Sequence, residues 1–178
     1  MPLKQKALFL DRDGIINIDH GYVSQIKDFQ FTQGIFELLH LFLKKNYLLF
    51  IVTNQSGIGR GYYTLDNFHT LNDWMLERLK EKQIPIESVH YCPHAPEESC
   101  LCRKPQTGMV DDILQNHSID LLQSWLIGDK QSDIDLALQA HIKNSVAIGE
   151  HKIAKATYQF TSIPEALQFF KKSQDKLL

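Results

Sequence analysis

Three segments that lie far apart in the chain place acidic, hydroxyl and basic side chains directly after short apolar runs. Residues 11–14 read Asp-Arg-Asp-Gly, residues 53–57 read Thr-Asn-Gln-Ser-Gly, and residues 128–130 read Gly-Asp-Lys. Residues 103–105, Arg-Lys-Pro, add two cations. If the fold brings these segments together, their carboxylates, hydroxyl and ammonium could bind a divalent cation and transfer a phosphoryl group.

The candidate acids are Asp11, Asp13 and Asp129. Carboxylates that lie close together repel one another, and their approach is costly unless a cation is present. Hard oxygen ligands of this kind suit Mg²⁺. At the end of an apolar run, Asp11 is placed to attack a phosphoryl group and form an aspartyl phosphate. Asp13 could protonate the leaving oxygen and later activate water.

Thr53 and Lys104 are candidate ligands of the phosphoryl group, because a hydroxyl can donate a hydrogen bond to it and an ammonium can neutralise its charge. Taken singly, each motif has a simpler interpretation. Asp-x-Asp-Gly and Gly-Asp are common in turns, and Thr-Asn after a strand often caps a helix. All of these motifs in this order, each at the end of a predicted strand, favour a catalytic site.

The surrounding sequence predicts the elements that must position these residues. Apolar runs predict strands at residues 7–10, 47–53, 89–91, 125–127, 145–148 and 158–160. Helical spacing of apolar residues predicts helices over 35–42, 65–79, 109–114, 134–141 and 163–170. This alternation is typical of an α/β, Rossmann-like fold with a mainly parallel sheet and helices on both faces. Ligands of such sheets bind outside the carboxyl ends of the strands.

Composition limits the class of protein. The 178 residues carry a net charge of -2, with 43% hydrophobic and 22% charged residues, which is typical of one globular domain over residues 1–178. The charge does not favour nucleic acid as a partner. The longest apolar run, residues 47–52, is far shorter than the roughly 20 residues of a membrane-spanning helix. Without a secretory signal pattern at the N-terminus, we expect a cytoplasmic protein with no membrane partner.

All three cysteines lie in one short stretch. Cys92, His94, Cys100 and Cys102 offer three thiolates and one imidazole, a set that suits tetrahedral, structural Zn²⁺. An odd number of cysteines does not suit a disulfide framework. The alternative is a group of reduced cysteines that bind no metal. We expect zinc to fix a loop at about residues 92–105 that aims Arg103 and Lys104 at a phosphate.

The motifs described above have a family counterpart. The sequence resembles the haloacid-dehalogenase-type phosphatases, whose signature is Asp-x-Asp at the first strand, Thr or Ser at the second, a Lys, and acidic residues at the fourth. Within them it resembles the D-glycero-D-manno-heptose-1,7-bisphosphate 7-phosphatases, close kin of the histidinol-phosphatase domains. The matching segments are residues 9–14, 16–17, 19–23, 52–58, 60–61, 91–94, 100–105 and 128–130.

The resemblance implies a role for each matching residue. Asp11 would be the nucleophile and Asp13 the acid/base. Mg²⁺ would take a carboxylate oxygen of Asp11, the backbone carbonyl of Asp13, and Asp129. Thr53 and Lys104 would hold the transferring phosphoryl group, and the resemblance also implies zinc at the Cys/His cluster.

The same resemblance implies a substrate site without a cap domain, because no large insertion follows either of the first two strands. Residues 19–31, 57–63 and 92–105 would form a partial rim, and Asp133 would support the metal site rather than bind the metal. The substrate-lining residues would be Asp19, His20, Gly21, Tyr22, Asn54, Gln55, Ser56, Arg103 and Lys130.

The leading functional hypothesis is a Mg²⁺-dependent phosphomonoesterase that removes the 7-phosphate of a heptose 1,7-bisphosphate. The resemblance places such an enzyme, which we expect to be monomeric, on a bacterial route to nucleotide-activated heptose for surface polysaccharide. A histidinol-phosphate phosphatase with the same chemistry is the near alternative. A zinc-stabilised module that binds a phosphorylated metabolite without turnover is an alternative of another class. The presence of both Asp11 and Asp13 argues against it, because a binder needs no acid/base.

Overall fold

The computed structural model describes residues 4–177, which form a six-stranded sheet in the order β3-β2-β1-β4-β5-β6. Every neighbouring pair of strands is parallel. The predicted α/β fold with a mainly parallel sheet is confirmed. The strands are β1 (Lys6–Leu10), β2 (Tyr47–Asn54), β3 (Ser88–Cys92), β4 (Trp125–Gly128), β5 (Asn144–Ile148) and β6 (Tyr158–Phe160).

Within residues 4–177, six α-helices and three 3₁₀ turns accompany the strands, and the last helix and the last turn follow β6. The helices are α1 (Ile35–Leu43), α2 (Ser56–Gly59), α3 (Leu65–Glu81), α4 (Gly108–Asn116), α5 (Gln131–Gln139) and α6 (Ile163–Lys172). The 3₁₀ turns are Ile26–Asp28, Leu121–Gln123 and Gln174–Leu177. Local chemistry explains where the longest helix begins, because the Thr64 side chain accepts a hydrogen bond from the Asn67 N–H and the Asn67 side chain accepts one from the Thr64 N–H.

Apolar residues pack on both faces of the sheet. In β1, Leu8 and Leu10 join a core built with α1, α3 and α6, whereas Ala7 and Phe9 join a second core built with α4 and α5. Successive strand residues point to opposite faces, so a strand that is covered on both sides must be apolar throughout. This explains why the predicted strands appear in the sequence as continuous apolar runs.

The order of the strands places β1 at the centre of the sheet, with β2 on one side and β4 on the other. The chain first builds outward from β1 to β3 and then returns to build β4, β5 and β6 on the opposite side. In open parallel sheets the crevice beside such a reversal is where ligands bind. The carboxyl ends of β1, β2 and β4 are therefore the expected place for the site.

One helix ends earlier than the sequence pattern predicts. The predicted helix over 134–141 included His141 on its face, but α5 ends at Gln139 and His141 has a left-handed backbone with a φ of 58°. The assignment of His141 to the helix is therefore wrong. The Ile142 N–H donates to the Ala137 carbonyl, which closes the end of the helix in a reversed turn.

A second difference concerns the predicted rim at residues 57–63, part of which forms the short helix α2. Among residues 4–177, no helix combines the length and the apolar character that crossing a membrane requires.

Ser124 joins the amino ends of the two central strands. Its hydroxyl accepts a hydrogen bond from the Ala7 N–H at 2.9 Å and donates one to the Asp120 carbonyl at 2.6 Å. Ser124→Ala leaves the buried Ala7 N–H without this partner, so we expect the free energy of unfolding to fall by about 2 kcal/mol. Urea unfolding measures this change. Ser118→Ala, at an exposed position, is the control; equal losses in both variants would contradict the prediction.

Candidate active site

Predicted catalytic residues meet where the central strands end. Asp11 follows β1, Thr53 lies at the end of β2, and Asp129 follows β4. The Asp11 N–H donates to the Ile127 carbonyl at 3.1 Å, which ties the end of β1 to β4. The side chains of Asp11, Thr53 and Lys104 are buried. The fold therefore brings together residues that lie up to 118 positions apart, from Asp11 to Asp129.

The Lys104 ammonium is buried among three acceptors. Its Nζ lies 3.0 Å from Asp11 Oδ1, 2.6 Å from Asp133 Oδ1 and 2.9 Å from the Val52 carbonyl oxygen. Burial acts to lower the pKa of Lys104, but the charges of Asp11 and Asp133 outweigh it and raise the pKa above its usual value. Lys104 is therefore a permanent cation beside the predicted nucleophile.

Asp133 connects this cation to the start of α5. Its Oδ2 accepts hydrogen bonds from the backbone N–H groups of Asp129 at 3.2 Å and Lys130 at 3.0 Å, while its Oδ1 forms the ion pair with Lys104. A carboxylate in the first turn of a helix is also favoured by the helix dipole. Both oxygens of Asp133 thus have protein partners, which is compatible with the supporting role expected for it.

Asp11 and Asp129 form a set that fits a divalent cation. One oxygen each of Asp11, Asp129 and Asp133 lies within 4.8 Å of the others. Burial raises the pKa of Asp11, and burial followed by the charge of Asp11 raises the pKa of Asp129 to about 7. Asp129 Oδ1 is buried and accepts no hydrogen bond from the described residues, and the Lys130 ammonium lies 3.9 Å from it. Mg²⁺ would relieve the repulsion and use this oxygen.

Asp13 is held by three neighbouring side chains. Its Oδ1 accepts hydrogen bonds from Arg12 Nη2 at 2.9 Å and Asn17 Nδ2 at 3.0 Å, and its Oδ2 accepts from Arg12 Nη2 at 3.0 Å and Gln55 Nε2 at 2.9 Å. Arg12 is itself fixed, because its Nη2 also donates to the Val23 carbonyl at 2.7 Å. All of these contacts come from donors, so they recognise the ionised carboxylate.

The side-chain amides of Asn54 and Gln55, which follow Thr53, form hydrogen bonds to predicted catalytic residues. Asn54 Oδ1 accepts from the Lys104 N–H at 2.9 Å, and its Nδ2 donates to the Lys104 carbonyl at 3.3 Å. Gln55 Nε2 donates to Asp13 and, at 2.9 Å, to Thr53 Oγ1. Both residues were predicted to line the substrate site. The structure places them at its wall with their amides already bonded to protein partners.

A cavity of about 270 Å³ opens beside Asp13. Lys130 Nζ lies 3.5 Å from Asp19 Oδ2, which connects two predicted substrate residues. Burial acts to lower the pKa of Lys130, but the charges of Asp129, Asp11 and other acids raise it. The cavity is lined by Asp13, Asp19, Gly21, Tyr22, Asn54, Gln55, Ser56, Tyr63 and Lys130.

Two predicted substrate residues lie outside this cavity. His20 lines a neighbouring hollow of about 490 Å³ together with Lys27 and Asp28. Arg103 lines another hollow of about 480 Å³ beside Lys104, and its buried Nη1 makes no hydrogen bond to any residue that the structure describes. The predicted substrate residues are therefore divided among three depressions, of which the first two share Gly21 and Tyr22.

The four predicted zinc ligands also come together. Their potential ligand atoms lie within 4.8 Å of one another, with Cys92 Sγ 3.6 Å from Cys100 Sγ and 3.4 Å from His94 Nδ1. His94 Nδ1 lies 3.2 Å from Cys102 Sγ. Bonds of about 2.0–2.3 Å in a tetrahedral zinc site give ligand separations close to these three. Cys92 Sγ and Cys102 Sγ lie closer together, at 2.8 Å, so these two thiolates would move apart on binding the metal. The donor set and its geometry therefore fit Zn²⁺.

Arg12, Asn17 and Tyr63 were not assigned roles from the sequence. Arg12 lies between two acids and looks like an exposed cation, yet it is only 1% exposed. Asn17 is fully buried and donates to Asp13. Tyr63 donates to Gln55 Oε1 at 2.6 Å. Arg12 and Asn17 do fall within the matching segments, which was the available signal for them.

Known proteins resemble this chain along most of its length. The model of the family described as polynucleotide kinase 3 phosphatase matches residues 8–169. A D-glycero-alpha-D-manno-heptose-1,7-bisphosphate 7-phosphatase of Campylobacter jejuni is 47% identical over 170 residues, covering 95% of this chain and 98% of that protein. A D-glycero-beta-D-manno-heptose-1,7-bisphosphate 7-phosphatase of Helicobacter pylori J99 is 46% identical, covering 93% and 97%.

Solved structures show the same fold. The D,D-heptose 1,7-bisphosphate phosphatase of B. bronchiseptica, complexed with magnesium and phosphate, superimposes with a TM-score of 0.82 at 24% identity, covering 94% of this chain and 98% of that one. The D,D-heptose 1,7-bisphosphate phosphatase of Burkholderia thailandensis has a TM-score of 0.67 at 20% identity, covering 95% and 100%.

Gly14 packs directly against the candidate metal ligand Asp129. It has a φ of 88°, and a Cβ at this position would overlap the Asp129 carboxylate. We expect Gly14→Ala to weaken Mg²⁺ binding about tenfold or more, because the displaced carboxylate can no longer complete the site. Calorimetric titration with Mg²⁺ measures the affinity.

Gly61→Ala is the matched control, since Gly61 has a φ of 72° and open space where its Cβ would lie. The two substitutions impose a similar backbone strain and differ in the clash. An equal loss of Mg²⁺ affinity in both variants would contradict the assignment.

Proposed function

We propose that this chain removes the 7-phosphate of a heptose 1,7-bisphosphate. The chain belongs to the polynucleotide kinase 3 phosphatase family and to the same family as the bacterial D-glycero-D-manno-heptose-1,7-bisphosphate 7-phosphatases. The observation that carries the proposal is the buried Lys104–Asp11 pair, two residues from Asp13, which itself lines a cavity of about 270 Å³. The identity of 47% over 95% of the chain supports the choice of substrate.

Asp11, Asp129 and the backbone carbonyl of Asp13 would hold Mg²⁺, which when bound offsets the negative charge of the carboxylates and of the phosphoryl oxygens. In the first step, a carboxylate oxygen of Asp11 forms a bond to phosphorus while the bond from phosphorus to the sugar oxygen breaks. Asp13 gives to that sugar oxygen the proton that it took from water in the preceding turnover. The products of this step are the free hydroxyl and an aspartyl phosphate on Asp11.

In the second step, Asp13 takes a proton from water, and the water oxygen attacks the aspartyl phosphate. The bond from phosphorus to Asp11 breaks, which releases inorganic phosphate and restores the carboxylate. The Thr53 hydroxyl donates a hydrogen bond to a phosphoryl oxygen in both steps. The Lys104 ammonium, 3.0 Å from Asp11, offsets the charge on the nucleophile and the phosphoryl group.

The substrate test compares heptose 1,7-bisphosphate, histidinol phosphate and a 3′-phosphorylated oligonucleotide, with phosphate release as the readout. We expect kcat/KM to favour the heptose by about a hundredfold, roughly 2.7 kcal/mol of discrimination. The oligonucleotide represents the activity named in the family description, and the net charge of -2 disfavours it. A preference for histidinol phosphate would keep the mechanism and change the substrate.

Asp11→Asn is the control for the mechanism. It preserves shape and removes the nucleophilic charge, so turnover should fall by about a thousandfold or more. Substantial residual activity in this variant would refute the aspartyl-phosphate mechanism. No release from any substrate by the wild-type protein holding its metals would favour the non-catalytic binding module.

We also propose that Cys92, His94, Cys100 and Cys102 hold structural Zn²⁺, because their four donors leave no open coordination position. Cys102 precedes Lys104 by two residues. A metal on Cys102 would therefore restrain the segment that delivers the Lys104 ammonium to Asp11.

Zinc removal tests this coupling. Treatment with a zinc-selective chelator in excess Mg²⁺ should release about one zinc per chain and sharply reduce turnover, because the segment carrying Lys104 loosens. Metal content is measured by mass spectrometry, and activity should return when Zn²⁺ is added. Full turnover in zinc-free protein would contradict the proposed coupling between the zinc site and Lys104.

The proposed reaction leaves a heptose 1-phosphate. A sugar 1-phosphate is the form that nucleotidyl transfer can activate, so we place the chain before such a step, on a cytoplasmic route to nucleotide-activated heptose for surface polysaccharide. We propose that it acts there as a single domain and a monomer.

A further inference from the structure

Tyr63 contacts the site through Gln55. It is 9% exposed, and its hydroxyl lies 2.6 Å from Gln55 Oε1. Its ring packs against Gly57, where a Cβ would overlap the ring. Tyr63 is thus fixed at the wall of the cavity beside Asp13, although it touches neither Asp13 nor Thr53 through a hydrogen bond of its own.

The chemistry of the partners sets the orientation of the Gln55 amide. An ionised carboxylate only accepts hydrogen bonds, so the amide nitrogen of Gln55 must face Asp13 Oδ2. The amide oxygen must then face Tyr63, and the Tyr63 hydroxyl must donate. Burial raises the pKa of Tyr63 to about 12, so the hydroxyl keeps its proton at neutral pH.

The oriented amide then serves two predicted catalytic residues. One hydrogen of Gln55 Nε2 is donated to Asp13 Oδ2 and the other to Thr53 Oγ1, each at 2.9 Å. Because the Thr53 oxygen accepts this bond, its own hydrogen is free for another acceptor. Asp13 Oδ2 has fewer protein contacts than Oδ1, which also binds Asn17.

We propose that Tyr63 is a positioning residue that, through Gln55, holds the Asp13 carboxylate in the orientation needed for proton transfer to the leaving oxygen. The proposal rests on the proposed phosphatase function. Without the Tyr63 hydroxyl, Gln55 Oε1 loses its buried donor and the amide is free to rotate. Asp13 Oδ2 would then lose one of its two hydrogen bonds and keep the one from Arg12 Nη2.

The test is Tyr63→Phe, assayed with two leaving groups. A sugar phosphate needs a proton on its leaving oxygen, whereas p-nitrophenyl phosphate releases a stabilised anion that does not. We expect kcat/KM for heptose 1,7-bisphosphate to fall about tenfold or more, and that for p-nitrophenyl phosphate to fall less than about threefold. A merely structural role would lower both equally.

Tyr47→Phe is the matched control. Tyr47 is 2% exposed, its hydroxyl donates to the Gln123 carbonyl at 3.1 Å, and it begins β2 at the end opposite to Thr53. Both variants lose one buried hydroxyl and one hydrogen bond. Tyr47→Phe should leave the ratio of the two kcat/KM values at the wild-type level.

A spectroscopic readout separates this proposal from the choice of substrate. The side-chain amide resonances of Gln55, assigned by their loss in Gln55→Met, should shift in Tyr63→Phe and stay in place in Tyr47→Phe. If the wild-type protein cleaves p-nitrophenyl phosphate but not the heptose, the proposed substrate fails, and any alkyl phosphate that is cleaved replaces it in the comparison. Equal loss for both leaving groups, or unmoved Gln55 resonances, would overturn the role of Tyr63.

Discussion

The Lys104 ammonium is the charge around which the site is assembled. A buried cation must be paired, because an unpaired charge in a protein interior costs several kcal/mol. Its partners are Asp11 after β1, the Val52 carbonyl in β2 and Asp133 in the first turn of α5. One group therefore holds three separate segments together. Moving any of these segments away would leave the ammonium or a carboxylate without compensation.

The side chains around this charge leave little freedom for the reacting groups. Asn54 fixes the backbone of Lys104, and Gln55 contacts both Asp13 and Thr53. Networks in which each member has a partner are stiff, because every rotation breaks a hydrogen bond in a medium of low polarity. Within residues 4–177, Oδ1 of Asp129 accepts no hydrogen bond, and it lies where the donor set fits a cation. The same framework thus positions the carboxylates whose chemistry suits a divalent cation.

The Cys/His cluster lies close in sequence to Lys104 and can help to hold it in place. The segment that carries Lys104 and the adjacent Arg103 has no regular secondary structure between β3 and α4, and turns together with Asn54 hold it. A metal held by four side chains would add a further restraint. The position of the Lys104 ammonium beside Asp11 would then depend on a metal site that begins two residues earlier in the sequence. Folding of the loop at residues 92–105 would in this way affect the charge environment of Asp11.

Strand positions, the parallel sheet and the principal acids follow from the sequence alone, because buried parallel strands are continuous apolar runs and their carboxyl ends meet at one edge. The sequence also indicated Lys104 and the Cys/His cluster. The buried position of Arg12, the use of Gln55 to hold Asp13, and the donor Tyr63 were decided by tertiary structure. Because Arg12 lies between two acids in the sequence, it looks like an exposed charge. The sequence also does not show which groups the Gln55 amide binds. Such roles depend on which donors and acceptors the fold places within about 3 Å of each other.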